Sequence, residues 1–141
     1  MGLFTGAKTV VLAMLIHPLV VAQTVTPAPG HQFELRIEQR QLAAAIDRSH
    51  DADHAVSTSK GRHKLVVRQG ELVQLNWHSD EAVQLHLHGY DIELALQPGQ
   101  AAVMQFRAHA TGRFQITSHG FGDAHGAGHH HGLLYFEVHP Q

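Results

Sequence analysis

The chain reads as an all-β protein, a sandwich or barrel of about seven or eight short strands. From Lys64 onward, apolar and polar residues alternate with a period of two almost without a break. Turn residues punctuate that pattern at roughly 8–12-residue spacing, as in sandwiches and barrels. No long stretch carries the 3.6-residue periodicity of an amphipathic helix.

In chain order, Phe33, Leu35 and Ile37 alternate with Glu34, Arg36 and Glu38, which predicts a half-buried strand. The Ala-rich residues 39–47 suggest a short helical turn. Residues 47–63 are polar, with His50, His54, His63, Asp51 and Asp53, and read as a loop or insertion. A solvated loop accounts for them, and a secondary His/Asp metal site is the functional alternative. Leu65-Val66-Val67 is the next strand, ended by Gln69-Gly70, and Leu72 to Trp77 follows it. After the turn at Ser79-Asp80-Glu81, Val83, Leu85 and Leu87 alternate with Gln84, His86 and His88. Ile92, Leu94 and Leu96 form a strand closed by Gln97-Pro98-Gly99. Ala102, Met104, Phe106 and Ala108 form another. Thr111-Gly112 turns the chain into Phe114 and Ile116, and the last strand is Leu133 to Val138, ended by Pro140. Met104 and Trp77 alternate with apolar neighbours and are expected in the core.

The ends are of a different character. Residues 1–22 carry Lys8, a run from Val10 to Ala22 that is apolar except for His17 and Pro18, and Val20-Val21-Ala22 before Gln23. This is the pattern of a secretory signal peptide, and the run is short for a membrane span. Residues 23–31 are Pro- and Thr-rich and read as a flexible leader. Residues 32–141 then form one domain. The expected location is periplasmic or secreted, with no membrane span in the mature chain. Removing Lys8 leaves a mildly acidic protein, since the whole chain has 10 basic and 12 acidic residues. That balance gives no nucleic-acid footprint.

Histidine and cysteine carry the chemistry. There are 15 His and no Cys. Exported small domains often rely on disulfides; this one must rest on its apolar core, helped by any metal it binds. Neutral imidazole is a favoured ligand for Cu, Zn and Ni. His86 and His88 are alternate residues in His86-Leu87-His88-Gly89-Tyr90-Asp91, so on a strand they share a face. His119, His125, His129, His130 and His131 follow the Phe114–Ser118 strand within a Gly-rich stretch. In a sandwich the two segments can reach the same end and build a site of three or four nitrogens. The candidate ligands are His86, His88, His119, His125, His129 and His131, with one ligand expected from the 129–131 run. Tyr90 can pack over such a site, and Asp91 can fix a His tautomer or cap the turn.

Residues 64–139 are similar to the cupredoxin-like fold. The features that carry the resemblance are the strand and turn from Lys64 to Gly70, His86 to Asp91, Gln97-Pro98-Gly99, and Thr111 to Ile116, with the final loop running into Leu133–Val138. His88-Gly89-Tyr90 also resembles the His-Gly-aromatic ligand turn of dicopper oxidase domains. The resemblance implies a Greek-key β-sandwich with one His near a middle strand and the other ligands between the last two strands. It also implies a Cys after the Phe114-x-Ile116 strand, where this chain has Ser118 and then His119. Without thiolate, neither a blue type 1 site nor a dicopper electron-transfer site forms. An all-His site instead suits type 2 Cu(II), Cu(I) or Zn(II). The expected function is a copper carrier or homeostasis module served by a periplasmic or membrane metal-handling partner. A metal-free interaction domain and a small mononuclear copper oxidoreductase are the alternatives, although no set of nucleophile, base and orienting group is readable.

Overall fold

The computed structural model describes residues 30–49, 56–59, 62–121 and 131–141. They fold into ten strands: β1 His31–Glu38, β2 Gln41–Asp47, β3 Val56–Ser59, β4 Arg62–Arg68, β5 Leu72–Ser79, β6 Val83–Leu87, β7 Ile92–Leu96, β8 Ala102–Arg107, β9 Gly112–His119 and β10 His131–His139. One sheet has the order β2-β1-β5-β8 and the other β3-β4-β10-β9-β6-β7. Most neighbours are antiparallel, but β1 runs parallel to β5 and β4 parallel to β10. The expected signal peptide and nearly all of the leader lie outside the described residues.

The period of two builds the core. Phe33, Leu35, Ile37, Val73, Leu75, Trp77, Met104 and Phe106 face inward from the four-stranded sheet. Leu65, Val67, Val83, Leu85, Leu87, Ile116, Leu134, Phe136 and Val138 meet them from the six-stranded sheet. Met104 and Trp77 are buried there, as their alternation predicts.

Three expectations need correcting. Residues 39–47 are not helical: β2 pairs antiparallel with β1. The connection is the two-residue turn Gln39-Arg40, with φ of 50° and 65°. Positive φ at both positions is the hairpin geometry that usually selects Asn-Gly, so these residues conceal the turn. Asp80 holds it by accepting the Gln39 N–H at 2.9 Å. Second, the polar 47–63 segment contains β3, a four-residue edge strand paired with β4. Third, His31 opens β1 rather than ending the leader. It is 3% exposed, and its Nε2 lies 2.9 Å from a Glu71 carboxylate oxygen. The described residues therefore form ten strands.

Candidate metal centre

Leu85 and Leu87 of β6 are buried in the core, so Gln84 and His86 point outward from the six-stranded sheet, and His88 follows in the turn. On β9, Ile116 and Ser118 are core-facing, which turns Thr117 and His119 to the same outer face. The register sets Gln84 opposite His119 and His86 opposite Thr117. One residue further, His88 N–H donates to the Gln115 carbonyl at 3.0 Å. Cross-strand and diagonal neighbours on one face lie within side-chain reach.

The result is a cluster of three half-buried imidazoles. His86, His88 and His119 each present a ring nitrogen, and these atoms lie within 4.8 Å of one another. The His86 and His88 ring centroids are 4.2 Å apart, and those of His86 and His119 are 6.4 Å apart. The meeting place is the outer face of the β6–β9 ladder rather than the loop-bearing end of the sandwich expected from the sequence. Between two of the rings sits Thr117, itself 3% exposed. Its Oγ1 is 2.9 Å from His88 Nε2 and 3.1 Å from His119 Nε2. Nothing in the ligand search of the sequence pointed to Thr117. Its signal was parity, since it sits two residues before His119 on the same strand face.

The turn after β6 is fixed from the other side. Gly89 has φ of +81°, and a Cβ there would lie 2.5 Å from the Phe114 ring. Both the left-handed backbone and the close ring therefore require glycine. Tyr90 does not lie over the imidazoles as supposed. Its ring packs among Phe106, His109 and Phe114, with centroids 5.1, 4.8 and 4.9 Å away. Its hydroxyl donates to the Ala110 carbonyl at 2.9 Å. Burial pushes the Tyr90 phenol up from its ordinary pKa, against a smaller opposing effect of that hydrogen bond. Asp91 Oδ1 is 3.6 Å from His86 Nε2, beyond hydrogen-bond reach, and Asp91 is fully exposed with φ of 54°. Its place in the turn is plain, and a direct bond to His86 is not formed.

The remaining candidates fall elsewhere. His131 pairs with Ser118, a core-facing residue, and its ring lies 6.2 Å from Phe121. It is not a member of the cluster of three. His125 and His129 lie outside the described residues, as do His130, His50 and His54. His63 pairs with the Thr58 hydroxyl at 3.2 Å, and His139 Nε2 lies 3.5 Å from Glu137. Glu137 belongs to an ionic group further across the same outer face. Burial alone would raise its pKa. The hydrogen bonds and charges of Lys64 and Arg113 outweigh that and hold it below the usual carboxylate range.

Two sheets in this order form a β-sandwich, and its solved-structure neighbours have the cupredoxin-like fold that the sequence resembles. No protein-family model matches the chain, and no curated protein matches it. Among solved structures, it is similar to the periplasmic domain of subunit II of cytochrome oxidase (CoxB) of Bradyrhizobium japonicum, at 12% identity and a TM-score of 0.53. That match covers 82% of this chain and 88% of the other. A mixed-disulfide complex between the thioredoxin-like TlpA and subunit II of cytochrome c oxidase aligns at 13% identity, covering 85% and 89%, with a TM-score of 0.52. A heme-copper terminal oxidase dimer aligns at 16% identity and a TM-score of 0.52; the match covers 78% of this chain, which spans 65% of the oxidase chain. At these identities the likeness is one of fold. Among the described residues, no helix is long and apolar enough to cross a membrane.

Proposed function

We propose that the chain is an exported copper-binding protein that carries one ion on the imidazole nitrogens of His86, His88 and His119. The observation that carries this reading is the convergence of those three rings on one sheet face. The donor set fits. A cation held ~2.0–2.1 Å from each nitrogen sets those nitrogens roughly 3.3–3.6 Å apart. The ring nitrogens, within 4.8 Å of one another, stand roughly 1 Å wider than that spacing. Three neutral nitrogens without thiolate suit type 2 Cu(II) or Cu(I), with Zn(II) as a competitor.

The setting favours carriage. The rings are half-buried on an outer face, where a second protein can bring its own ligands to the ion. Ser118, the neighbour of His119 in sequence, is turned into the core and takes no part in an acid–base pair with it. Export rests on the character of residues 1–22, and the periplasmic origin of a structural neighbour agrees with it. The partner in this reading is a periplasmic or membrane metal-handling protein.

The test is titration of the Gln23–Gln141 protein with Cu(II) against a competing chelator, followed by EPR. One tight equivalent with a nitrogen-rich type 2 spectrum is expected. His88→Ala and His119→Ala each weaken binding beyond the ~10–100-fold typical of losing an outer-shell partner. His63→Ala leaves it unchanged. Equal small losses across all three variants would mean diffuse surface binding and end the proposal. His125→Ala and His129→Ala show whether the 122–130 segment adds a donor to the cluster. A parallel Zn(II) titration ranks the two metals.

A further inference from the structure

We infer that Thr117 is the positioning residue of this site: its buried hydroxyl hydrogen-bonds Nε2 of both His88 and His119 and so sets the orientation of the two rings before a cation arrives. The inference rests on the three-His reading of the site. Thr117 Oγ1 is within hydrogen-bond distance of His88 Nε2, at 2.9 Å, and of His119 Nε2, at 3.1 Å. A hydroxyl has one proton to give and lone pairs to accept with. It can accept from the Nε2–H of one imidazole while donating to the other, or accept from both. In either arrangement the hydrogen bond sets the tautomer of each ring in the metal-free protein.

The hydroxyl is well placed to impose this. Thr117 is 3% exposed, so water competes poorly for its oxygen. It is β-branched on a strand, which restricts χ1 and fixes where Oγ1 points. His86 lies opposite it across the ladder, so the third ring shares the same floor. An incoming cation therefore meets two rings whose orientation the hydroxyl has already set.

Thr117→Val removes the hydroxyl at similar bulk, Thr117→Ala removes it without adding any, and Thr117→Ser keeps it. The first readout needs no metal. Long-range 15N–1H correlations of the ring nitrogens are recorded at about pH 8, above the ordinary imidazole pKa of about 6.5. Wild type and Thr117→Ser should show His88 and His119 each in one fixed tautomer, whereas Val and Ala should show mixed ones. The second readout is Cu(II) affinity by chelator competition: a loss of about 10–100-fold for Val or Ala, restored by Ser. Fixed tautomers in the Ala variant, or wild-type affinity in it, would overturn the role given to Thr117. The tautomer result stands or falls without copper. The His88→Ala and His119→Ala titrations judge the site itself, so the two failures are distinguishable.

Discussion

Ser118 and His119 are sequence neighbours with opposite fates. Ser118 is fully buried against the core, and its hydroxyl donates to the His131 carbonyl at 3.3 Å; His119 looks outward with the other two imidazoles. The resemblance to copper sandwiches puts a thiolate where Ser118 stands. Restoring it by Ser118→Cys would place the sulfur on the far side of β9 from the three rings. The expected outcome is a copper-loaded variant that keeps its type 2 EPR spectrum and gains no intense thiolate-to-copper band in the visible. Appearance of that band would mean that the rings reach around to the core face. At this scale, the His86-x-His88 spacing was legible because alternation alone puts two such rings together. Thr117 was not legible, because a hydroxyl carries no ligand signature and its partners come from two strands. His131 was drawn toward the candidate set by composition, yet pairing with a core-facing residue turned it away from the cluster.

The strands that sequence reasoning misread are β2 and β3, and each failed for a physical reason. Alanine is a weak strand former, and the β1–β2 turn uses Gln39 and Arg40 where glycine or asparagine would advertise it. β3 is short, polar and at the sheet edge, so it has no apolar alternation to show. The central ladder β4–β10–β9 is tied by ions as well. Glu137 of β10 lies 3.1 Å from Lys64 Nζ of β4 and 2.6 Å from an Arg113 guanidinium nitrogen of β9. Its pKa in the folded protein lies below the unfolded value, so its contribution to stability is present at neutral pH and is lost as pH falls through the folded value. That loss belongs below the ordinary glutamate pKa of about 4.3. Glu137→Gln should therefore lower metal-free stability by on the order of 1 kcal/mol at neutral pH, a figure kept small because Arg113 is mostly exposed. The gap to wild type should close on acidification. Thermal unfolding of both proteins across that range checks it, and a gap that widens in acid would reverse the assignment.

For the molecule as a whole, alternation and turn residues disclosed two-layer β architecture, and the inward set from Phe33 to Val138 is the core that they mark. Which strands lie side by side was not legible. The parallel pairs β1–β5 and β4–β10 join segments far apart in the chain, and no local signal encodes them. The layers hold without a single Cys, so no covalent tie links one part of the protein to another. The position of the imidazoles then has a consequence for how the protein breathes. Among the described residues only β7 lies beyond β6 on that side of the sheet, so an ion shared by β6 and β9 rivets the outer hairpin to the body. At a free-ion concentration of 100 times Kd, openings that separate those strands become about 100-fold rarer. Backbone amides of β6 and β7 should gain that protection from hydrogen exchange. Amides of β1 and β2 that exchange by local fraying should keep their rates. A uniform gain over both sheets would show instead that every opening is a global unfolding. A loaded molecule would thus be told from an empty one by the exchange map of a single hairpin, without any view of the metal.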